Sequence, residues 1–194
     1  MSRLALGLCL LASPALATGL EIDIAGEGEG TIVIDLLEDV APLHVARITA
    51  LAEAGAYNDV VFHRVIEGFM AQTGDVEYGR IGMDMRYAGQ GGSDQPDLPA
   101  EFSTLPFERG VIGMARTSEP DTANSQFFIM FDDAPFLNGQ YTIVGRVVEG
   151  MDDVVDAIKI GRGRDGAVIG EPDRMIAVRV LEGDPVAPPP EPTQ

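Results

Sequence analysis

Arg64 is the residue whose type and surroundings most clearly suggest chemistry. It stands in the apolar and aromatic run FHRVI at residues 62–66, and the run GFMAQ follows at residues 68–72. Residues two apart in a strand share a face, so we expect Phe62 and Arg64 to point together and His63 to point away. A guanidinium on an apolar face either extends its head to water or presents its donors within a cleft. The second arrangement would be chemically useful, because hydrogen bonds in a cleft are stronger than in water.

Other kinds of catalytic site find little support in the composition. The chain has two histidines, His44 and His63, and its one cysteine, Cys9, lies in the N-terminal segment that we expect to be cleaved. A zinc cluster of His and Cys ligands therefore cannot form in the mature protein. It has no G-x-S-x-G nucleophile elbow, and neither histidine has a recognisable partner pattern for a hydrolase. The net charge of -18, from 31 acidic and 13 basic residues, leaves no long basic track for a phosphate backbone. We therefore expect no nucleic-acid partner and interpret the scattered acidic residues as solvated surface.

The elements that must position Arg64 are mostly short strands. Alternating apolar residues at 20–25 and 31–36, joined by the glycine-rich residues 26–30, predict a β-hairpin. Helical spacing predicts an α-helix at residues 42–54 and a second, shorter helix at residues 151–158. Further strands are indicated at residues 60–75, 110–115, 126–131, 142–148 and 176–181. This order favours a closed antiparallel barrel with helices over its ends.

Residues 77–99 have the periodicity of neither a helix nor a strand. They are rich in glycine, aspartate and proline, so we predict one long loop. Long loops within compact domains are often functional or mobile.

The two ends of the chain differ in composition from the rest. Arg3, an apolar run at residues 4–11 and the small-x-small triplet at residues 15–17 predict a secretory signal peptide over residues 1–17, cleaved near Ala17. The alternative, a buried N-terminal helix, is disfavoured by Pro14. Residues 185–194 are rich in proline and predict a disordered tail, which leaves one domain at residues 18–184. We expect an exported, periplasmic monomer with no stable membrane insertion after cleavage.

Three blocks of the sequence, in order along the chain, resemble the cyclophilin family. Residues 62–75 resemble its signature F-H-R-[IV]-I-x-G-F-M-x-Q-x-G-D. Residues 113–117 and 124–129 are similar to its G-x-[LI]-[GS]-M-A stretch and S-Q-F-F-I strand, and residues 136–147 to its W-L-[DN]-G-x-[HY]-x-x-F-G-x-V region. The resemblance covers most of residues 32–181. It implies a mainly β fold, a closed antiparallel eight-stranded cyclophilin-like β-barrel capped by two α-helices, and the activity of an exported bacterial peptidyl-prolyl cis-trans isomerase.

The same resemblance implies the site residues and their ligands. The catalytic residues would be Arg64, Phe69, Gln72 and Phe128, and the substrate-binding residues Met70, Ala115, Arg116, Thr117, Gln126, Phe136, Leu137 and Tyr141. The substrates would be unfolded or flexible polypeptides that contain X-Pro bonds, and no metal or organic cofactor is implied. Phe136 stands where cyclosporin-sensitive members usually have Trp, so we expect weak binding of that drug. Tyr141 replaces a common His, and Arg116 replaces a common Asn that contacts the peptide backbone.

Three functional hypotheses remain, and the need for Arg64 distinguishes the first two. In an isomerase its guanidinium would stabilise the twisted amide, whereas a non-catalytic chaperone that binds Pro-containing segments would not require it. A third hypothesis, a structural envelope protein, would draw on the proline-rich tail.

Overall fold

The computed structural model describes residues 18–183. The signal peptide expected at residues 1–17 and the tail expected at residues 185–194 therefore lie outside the described residues. Within the described part of the chain, no helix is both long enough and apolar enough to cross a membrane.

The described residues form a mainly β domain around one curled antiparallel sheet. Its strands are β1 (Thr18–Ala25), β2 (Gly30–Leu36), β3 (Val60–Val61), β4 (Arg64–Ile66), β5 (Met70–Thr73), β6 (Val111–Met114), β7 (Phe127–Met130), β8 (Ile143–Glu149) and β9 (Arg174–Glu182). They lie in the order β3-β9-β1-β2-β8-β6-β7-β5-β4. The sheet thus has nine strands where the family resemblance implied eight, and residues 60–75 contribute three of them, all short.

The predicted hairpin at the start of the domain is confirmed. Strands β1 and β2 pair antiparallel, with Ile22 opposite Ile32, and both side chains are buried. The turn between them packs against Asp173, whose Oδ1 accepts the N–H of Gly28 at 2.7 Å. Gly26 has φ +141° and lies so close to Asp173 that a side chain there would collide with it. A glycine is therefore required at this turn.

Helix α1 (Pro42–Glu53) agrees with the predicted helix to within one residue. Its N-cap residue offers no side-chain hydrogen bond, and the carboxylate of Glu101, far along the chain, accepts the N–H groups of Leu43 and His44 instead, at 3.1 and 3.0 Å. The same carboxylate lies 2.6 Å from Nδ1 of the buried His44. The buried face of the helix consists of His44, Val45, Arg47, Ile48, Leu51 and Ala52.

The second α-helix, expected at residues 151–158, is replaced by a single π-helical turn at Met151–Val155. The N–H of Val155 bonds the carbonyl of Gly150, five residues back, at 3.0 Å. The β1–β2 turn packs against this segment: a Cβ at Gly28 would lie 2.6 Å from the carbonyl oxygen of Val154. The β1–β2 hairpin thus occupies the space beside the C-terminal end of the π-helical turn, so a regular α-helix does not continue to residue 158. The prediction of two α-helices was wrong for the described residues, which contain α1 alone.

The direction of Arg64 also differs from the expectation. Residues 62–63 lie outside the ladder, between β3 and β4, and the N–H of Phe62 donates to the carbonyl of Asp173 at 2.8 Å. Phe62 packs with Val65 in the main core, while Arg64 faces a cavity on the other side of the sheet. The prediction that Phe62 and Arg64 share a face was wrong. Residues 62–63 leave the strand pairing, and this gap interrupts the alternation of side chains between the two faces of the sheet.

The sheet separates two apolar clusters. The main core fills one side and contains Ala71 of β5 and Ile129 of β7. On the other side lies a smaller cluster, made of Met70, Phe107, Phe128, Met130, Ala134, Leu137 and Ile143. Because alternate residues of β5 and β7 point to opposite sides, these strands contribute to both clusters, and the smaller cluster supports the candidate site.

Candidate active site

Arg64 is held at two points of its guanidinium. It lies opposite Gln72 in the β4–β5 pair, and its Nη1 donates to Oε1 of Gln72 at 3.2 Å. Its Nε donates to the carbonyl of Asp165 at 2.9 Å. Among the described residues, its Nη2 has no hydrogen-bond acceptor. The side chain is therefore fixed while part of its donor capacity stays available to a ligand.

A hydrogen-bonded relay extends from Arg64 to a distant loop. Nε2 of Gln72 donates to Oε1 of Gln126 at 3.0 Å, and Nε2 of Gln126 donates to the carbonyl of Gly91 at 2.8 Å. Each amide accepts through its oxygen and donates through its nitrogen. The orientation of Gln72 that serves Arg64 is thus set by Gln126 and, through it, by Gly91.

Arg64 lines a small cavity of about 180 Å³. The lining consists of Arg64, Phe69, Met70, Gln72, Ala115, Arg116, Phe128, Leu137 and Tyr141, all of them predicted as site residues. The ring of Phe128 stacks on Phe107 with centroids 5.9 Å apart, and Tyr141 meets Phe128 edge-on at 5.8 Å. This packing fixes the aromatic side of the cavity, whose lining also includes the guanidinium of Arg64. The cavity can therefore bind an apolar group beside a hydrogen-bond donor.

Arg116 stands between this cavity and a second one. Its guanidinium lies 4.2 Å from the centre of the Tyr141 ring. It also donates to the carbonyls of Thr117 and Gln140, both at 2.8 Å, and of Ser118 at 3.2 Å. These hydrogen bonds hold the side chain of Arg116 in place. Its guanidinium, packed on the ring of Tyr141, in turn fixes that ring in the cavity wall.

The second cavity is a polar groove of about 470 Å³ that shares Gln72, Ala115 and Arg116 with the small one. Thr117 and Gln126, which were expected to bind substrate, line this groove. Its other walls were missed: Gly89, Gln90, Gly91, Gly92, Ser93, Asp97, Thr122 and Asn124. Two signals pointed toward them, the long loop at residues 77–99 and Asn124 within a family block, but neither specified a groove.

Phe136 is the predicted site residue that lines neither cavity. Its side chain is 63% exposed, and its ring lies 5.6 Å from Phe69. It sits on the short 3-10 turn Pro135–Leu137, whose Leu137 is buried in the cavity wall. Phe136 is thus at the rim, beside Phe69, and its contact with substrate stays a prediction.

His63 is buried next to the site without lining either cavity. Burial lowers the pKa of its imidazole to about 4; the negative charge of Asp75 opposes this shift and the positive charge of Arg64 adds to it. The imidazole lies under Gly89, where a Cβ would be 3.0 Å from its Nε2. A weak hydrogen bond with the backbone of Val61 also opposes the lowering of its pKa, but burial outweighs it. His63 is therefore neutral at pH 7, and Arg64 is the charged group beside it. No group of three or more His, Cys, Asp or Glu within residues 18–183 could hold a metal ion.

The curled antiparallel sheet and its arginine-lined cavity have counterparts in one family of known enzymes. The model of the family "Cyclophilin type peptidyl-prolyl cis-trans isomerase/CLD" matches residues 20–180. The chain is 56% identical over 154 residues to a probable peptidyl-prolyl cis-trans isomerase of Brucella suis, covering 78% of each protein. It is 39% identical over 146 residues to peptidyl-prolyl cis-trans isomerase B of Escherichia coli, covering 71% of this chain and 84% of that one.

Solved structures agree with this match. The cyclophilin AquaCyp293 from Hirschia baltica aligns with a TM-score of 0.67 at 25% identity, over 83% of this chain and 73% of that one. A cyclophilin-type isomerase of Cryptosporidium parvum, crystallised in the presence of the dipeptide Ala-Pro, aligns with a TM-score of 0.70 at 25% identity, over 85% and 99%. The chain belongs to the cyclophilin-type peptidyl-prolyl cis-trans isomerases.

Proposed function

We propose that this isomerase accelerates rotation about X-Pro bonds in exported polypeptides, and that Arg64 stabilises the twisted amide. Amide resonance gives a rotational barrier of about 18–20 kcal/mol, although cis and trans X-Pro differ by only about 0.5–1 kcal/mol. An enzyme therefore gains rate only by binding the twisted state more tightly than either planar state. Arg64 carries the proposal, because its Nη1 and Nε are held by Gln72 and Asp165 while its Nη2 has no acceptor among the described residues.

Rotation changes the electron distribution at the prolyl nitrogen. In the planar amide its lone pair is delocalised, and in the twisted state it becomes available as a hydrogen-bond acceptor. A guanidinium N–H fixed beside that nitrogen, or beside the rotating carbonyl, interacts more strongly with the twisted state. No bond is made or broken, so the site needs no nucleophile.

The small cavity is suited to the proline ring itself. Phe69, Met70, Phe128 and Leu137 supply an apolar wall, and Arg64 and Gln72 supply the polar side. Water excluded by the ring no longer competes for the guanidinium, which strengthens the hydrogen bond to the amide. The chain on either side of the proline can then follow the adjoining groove, because the two cavities share Gln72, Ala115 and Arg116.

The decisive test compares Arg64→Ala with wild-type protein in exchange NMR on an Ala-Pro peptide. We expect the catalysed exchange rate to fall about 100-fold or more, because a preorganised donor is lost. Arg146→Ala is the matched control: Arg146 lies on β8 with its side chain exposed, and it forms a long ion pair of 3.6 Å with Asp35. The exchange rate catalysed by Arg146→Ala should equal the rate catalysed by the wild-type protein. Equal turnover by Arg64→Ala would overturn the proposed mechanism.

The alternative function is a chaperone that binds Pro-containing segments without catalysis. The same cavity and groove would support it, since apolar burial does not require Arg64. Peptide binding by wild-type protein without any acceleration of exchange would favour this alternative.

The proposal includes export. Arg3, the apolar run at residues 4–11 and the triplet at residues 15–17 support a cleaved signal peptide and a periplasmic location. N-terminal sequencing of the protein from a periplasmic fraction should begin near Thr18, and a retained Met1 would contradict the proposal. We also expect a monomer that binds no nucleic acid.

Weak cyclosporin binding belongs to the same proposal. Phe136 lies exposed at the rim and offers no indole N–H where sensitive relatives usually have Trp. A sub-micromolar dissociation constant by calorimetry would contradict it.

We further propose that the sheet closes into a barrel. The strands at its two ends, β3 and β4, are separated in the chain only by residues 62–63. Oγ1 of Thr73, on β5, donates to the carbonyl of Val61, on β3, at 2.9 Å. This side-chain link joins the edge strand β3 to β5, the neighbour of the other edge strand β4, and supports closure.

A further inference from the structure

Asp75 is a fully buried carboxylate that accepts four backbone hydrogen bonds. Its Oδ1 accepts the N–H groups of Glu77 at 3.1 Å and Tyr78 at 2.9 Å. Its Oδ2 accepts those of Gly89 at 2.7 Å and Gly91 at 3.0 Å. One side chain therefore ties the beginning of the long loop to residues 89–91, the part of the loop beside the groove.

The loop has little apolar burial of its own to hold it in place. Ile81, Met83 and Tyr87 are all at least 40% exposed. Arg80 fastens its first part, by donating to the carbonyls of Ala56 and Asn58 at 2.7 and 2.9 Å. Asp75 holds the segment that reaches the groove at Gly89 and Gly91. Asn124 holds it two residues further on, where its Oδ1 accepts the N–H and the hydroxyl of Ser93, both at 2.7 Å.

That end of the loop is also where the relay to Arg64 begins. The carbonyl of Gly91 accepts from Gln126, Gln126 accepts from Gln72, and Gln72 accepts from Arg64. If Gly91 moves away, the amide of Gln126 loses the acceptor that defines its orientation. Gln72 can then turn its own amide, and Nη1 of Arg64 keeps only its longer contact with Sδ of Met70, at 3.7 Å.

We propose that Asp75 is a positioning residue for Arg64, acting through the carbonyl of Gly91 and the amides of Gln126 and Gln72. The proposal rests on the proposed role of Arg64 in X-Pro rotation. Asp75 lines neither cavity and contacts no substrate in this arrangement. Its effect should appear in the rate of rotation more than in peptide binding, because the apolar side chains that line the small cavity do not contact the displaced loop.

Asp173 provides a matched control for a merely structural role. It too is buried, and its carboxylate accepts backbone N–H groups, from Gly28 at 2.7 Å and Lys159 at 2.8 Å. Its hydrogen bonds hold the β1–β2 turn and do not lead to either cavity. Asp75→Asn and Asp173→Asn should therefore both lower stability, but only the first should affect Arg64.

The experiment measures kcat and KM for an Ala-Pro peptide at a temperature where circular dichroism shows both variants folded. Asp75→Asn replaces an acceptor by an amide whose NH2 group faces backbone donors. We expect its kcat to fall about tenfold, since small displacements of a catalytic group reduce rates steeply. Its KM should change less than about twofold, and Asp173→Asn should keep kcat within about twofold of wild type.

NMR of side-chain N–H groups reports the positioning itself. In Asp75→Asn the amide resonances of Gln72 and Gln126 and the Nε–H resonance of Arg64 should shift, and in Asp173→Asn they should not. Gly91→Ala is a second variant that keeps the carboxylate. Its Cβ would lie 2.6 Å from Oδ1 of Asp75 and 2.7 Å from Cβ of Glu77, so it should push the loop away and reproduce the loss of kcat.

Each outcome bears on one proposal. The positioning role is wrong if Asp75→Asn and Gly91→Ala have the same kcat as Asp173→Asn and the amide resonances of Gln72 and Gln126 do not shift in either variant. Should Asp75→Asn fail to fold, Gly91→Ala decides the question. Full activity of Arg64→Ala would instead overturn the proposed mechanism, independently of Asp75.

Discussion

Arg64 and Arg116 are both arginines of the small cavity, yet their surroundings give them different roles. Arg116 donates to the carbonyls of Gln140, Thr117 and Ser118, and stacks on Tyr141. Arg64 is held at Nη1 and Nε and keeps Nη2 without an acceptor among the described residues. The Asn that Arg116 replaces in relatives was expected to contact the peptide backbone. Here the guanidinium is engaged with the protein's own carbonyls, so Arg64 is the better candidate for the reacting amide.

The buried His63 should titrate far below its ordinary range. Its folded pKa is about 4, against an ordinary value of 6.5. Between these values the unfolded chain binds a proton that the folded chain excludes, so stability falls as pH decreases from 6.5 toward 4. The slope from this group approaches about 1.4 kcal/mol per pH unit within that window.

Two measurements test the His63 prediction. An NMR titration of its ring protons should give a midpoint near 4, and a midpoint near 6.5 would contradict it. Urea unfolding of wild type and His63→Gln across the same pH range isolates the effect, since other carboxylates titrate in both proteins. The difference in unfolding free energy between them should change between pH 6.5 and 4 and stay level above that range.

Strand β5 connects the core and the site through its alternation. Met70 and Gln72 face the cavity, and Ala71 packs in the main core. Thr73 is fully buried, and its hydroxyl donates to the carbonyl of Val61 on the edge strand β3. One short strand thus supplies both cavity residues and the proposed link that closes the barrel.

Thr73→Val tests that link. Valine has a similar shape but leaves the buried carbonyl of Val61 without its partner, so we expect the free energy of unfolding to fall by about 1–3 kcal/mol. Thr31→Val is the matched control, because the hydroxyl of Thr31 bonds Asp23 on the exposed hairpin. Urea unfolding should show that Thr31→Val lowers the free energy of unfolding by no more than about 0.5 kcal/mol. An equal, small loss in both variants would count against the closing link.

The charge of the whole chain should influence which peptides reach the site. A net charge of -18 creates a negative potential that attracts cationic peptides and repels anionic ones at low salt. Raising the ionic strength from about 0.01 M to about 0.15 M shortens the Debye length to about 8 Å and screens this potential.

We expect this screening to appear in kcat/KM. An X-Pro peptide flanked by lysines should lose about threefold in kcat/KM over that range of salt, and one flanked by glutamates should gain. A neutral peptide is the control and should change little. Identical salt dependence of all three would show that the acidic surface has no effect on substrate capture.

Short-range patterns in the sequence determined much of this protein. Alternation predicted the β1–β2 hairpin, helical spacing predicted α1, and the family blocks named every residue that lines the small cavity. These features depend on neighbours in the chain or on motifs within a few residues, so they can be recognised without a structure.

The tertiary structure alone decided how distant segments meet. Gln72 bonds Gln126, 54 residues away, and Gly28 bonds Asp173, 145 residues away. Such contacts turned Phe62 away from Arg64, shortened the second helix to a π turn and brought the 89–93 loop over the groove. They arise from packing between segments that share no local period. For that reason the sequence named the arginine and its cavity, and only the fold revealed the groove walls and the buried Asp75 that holds them.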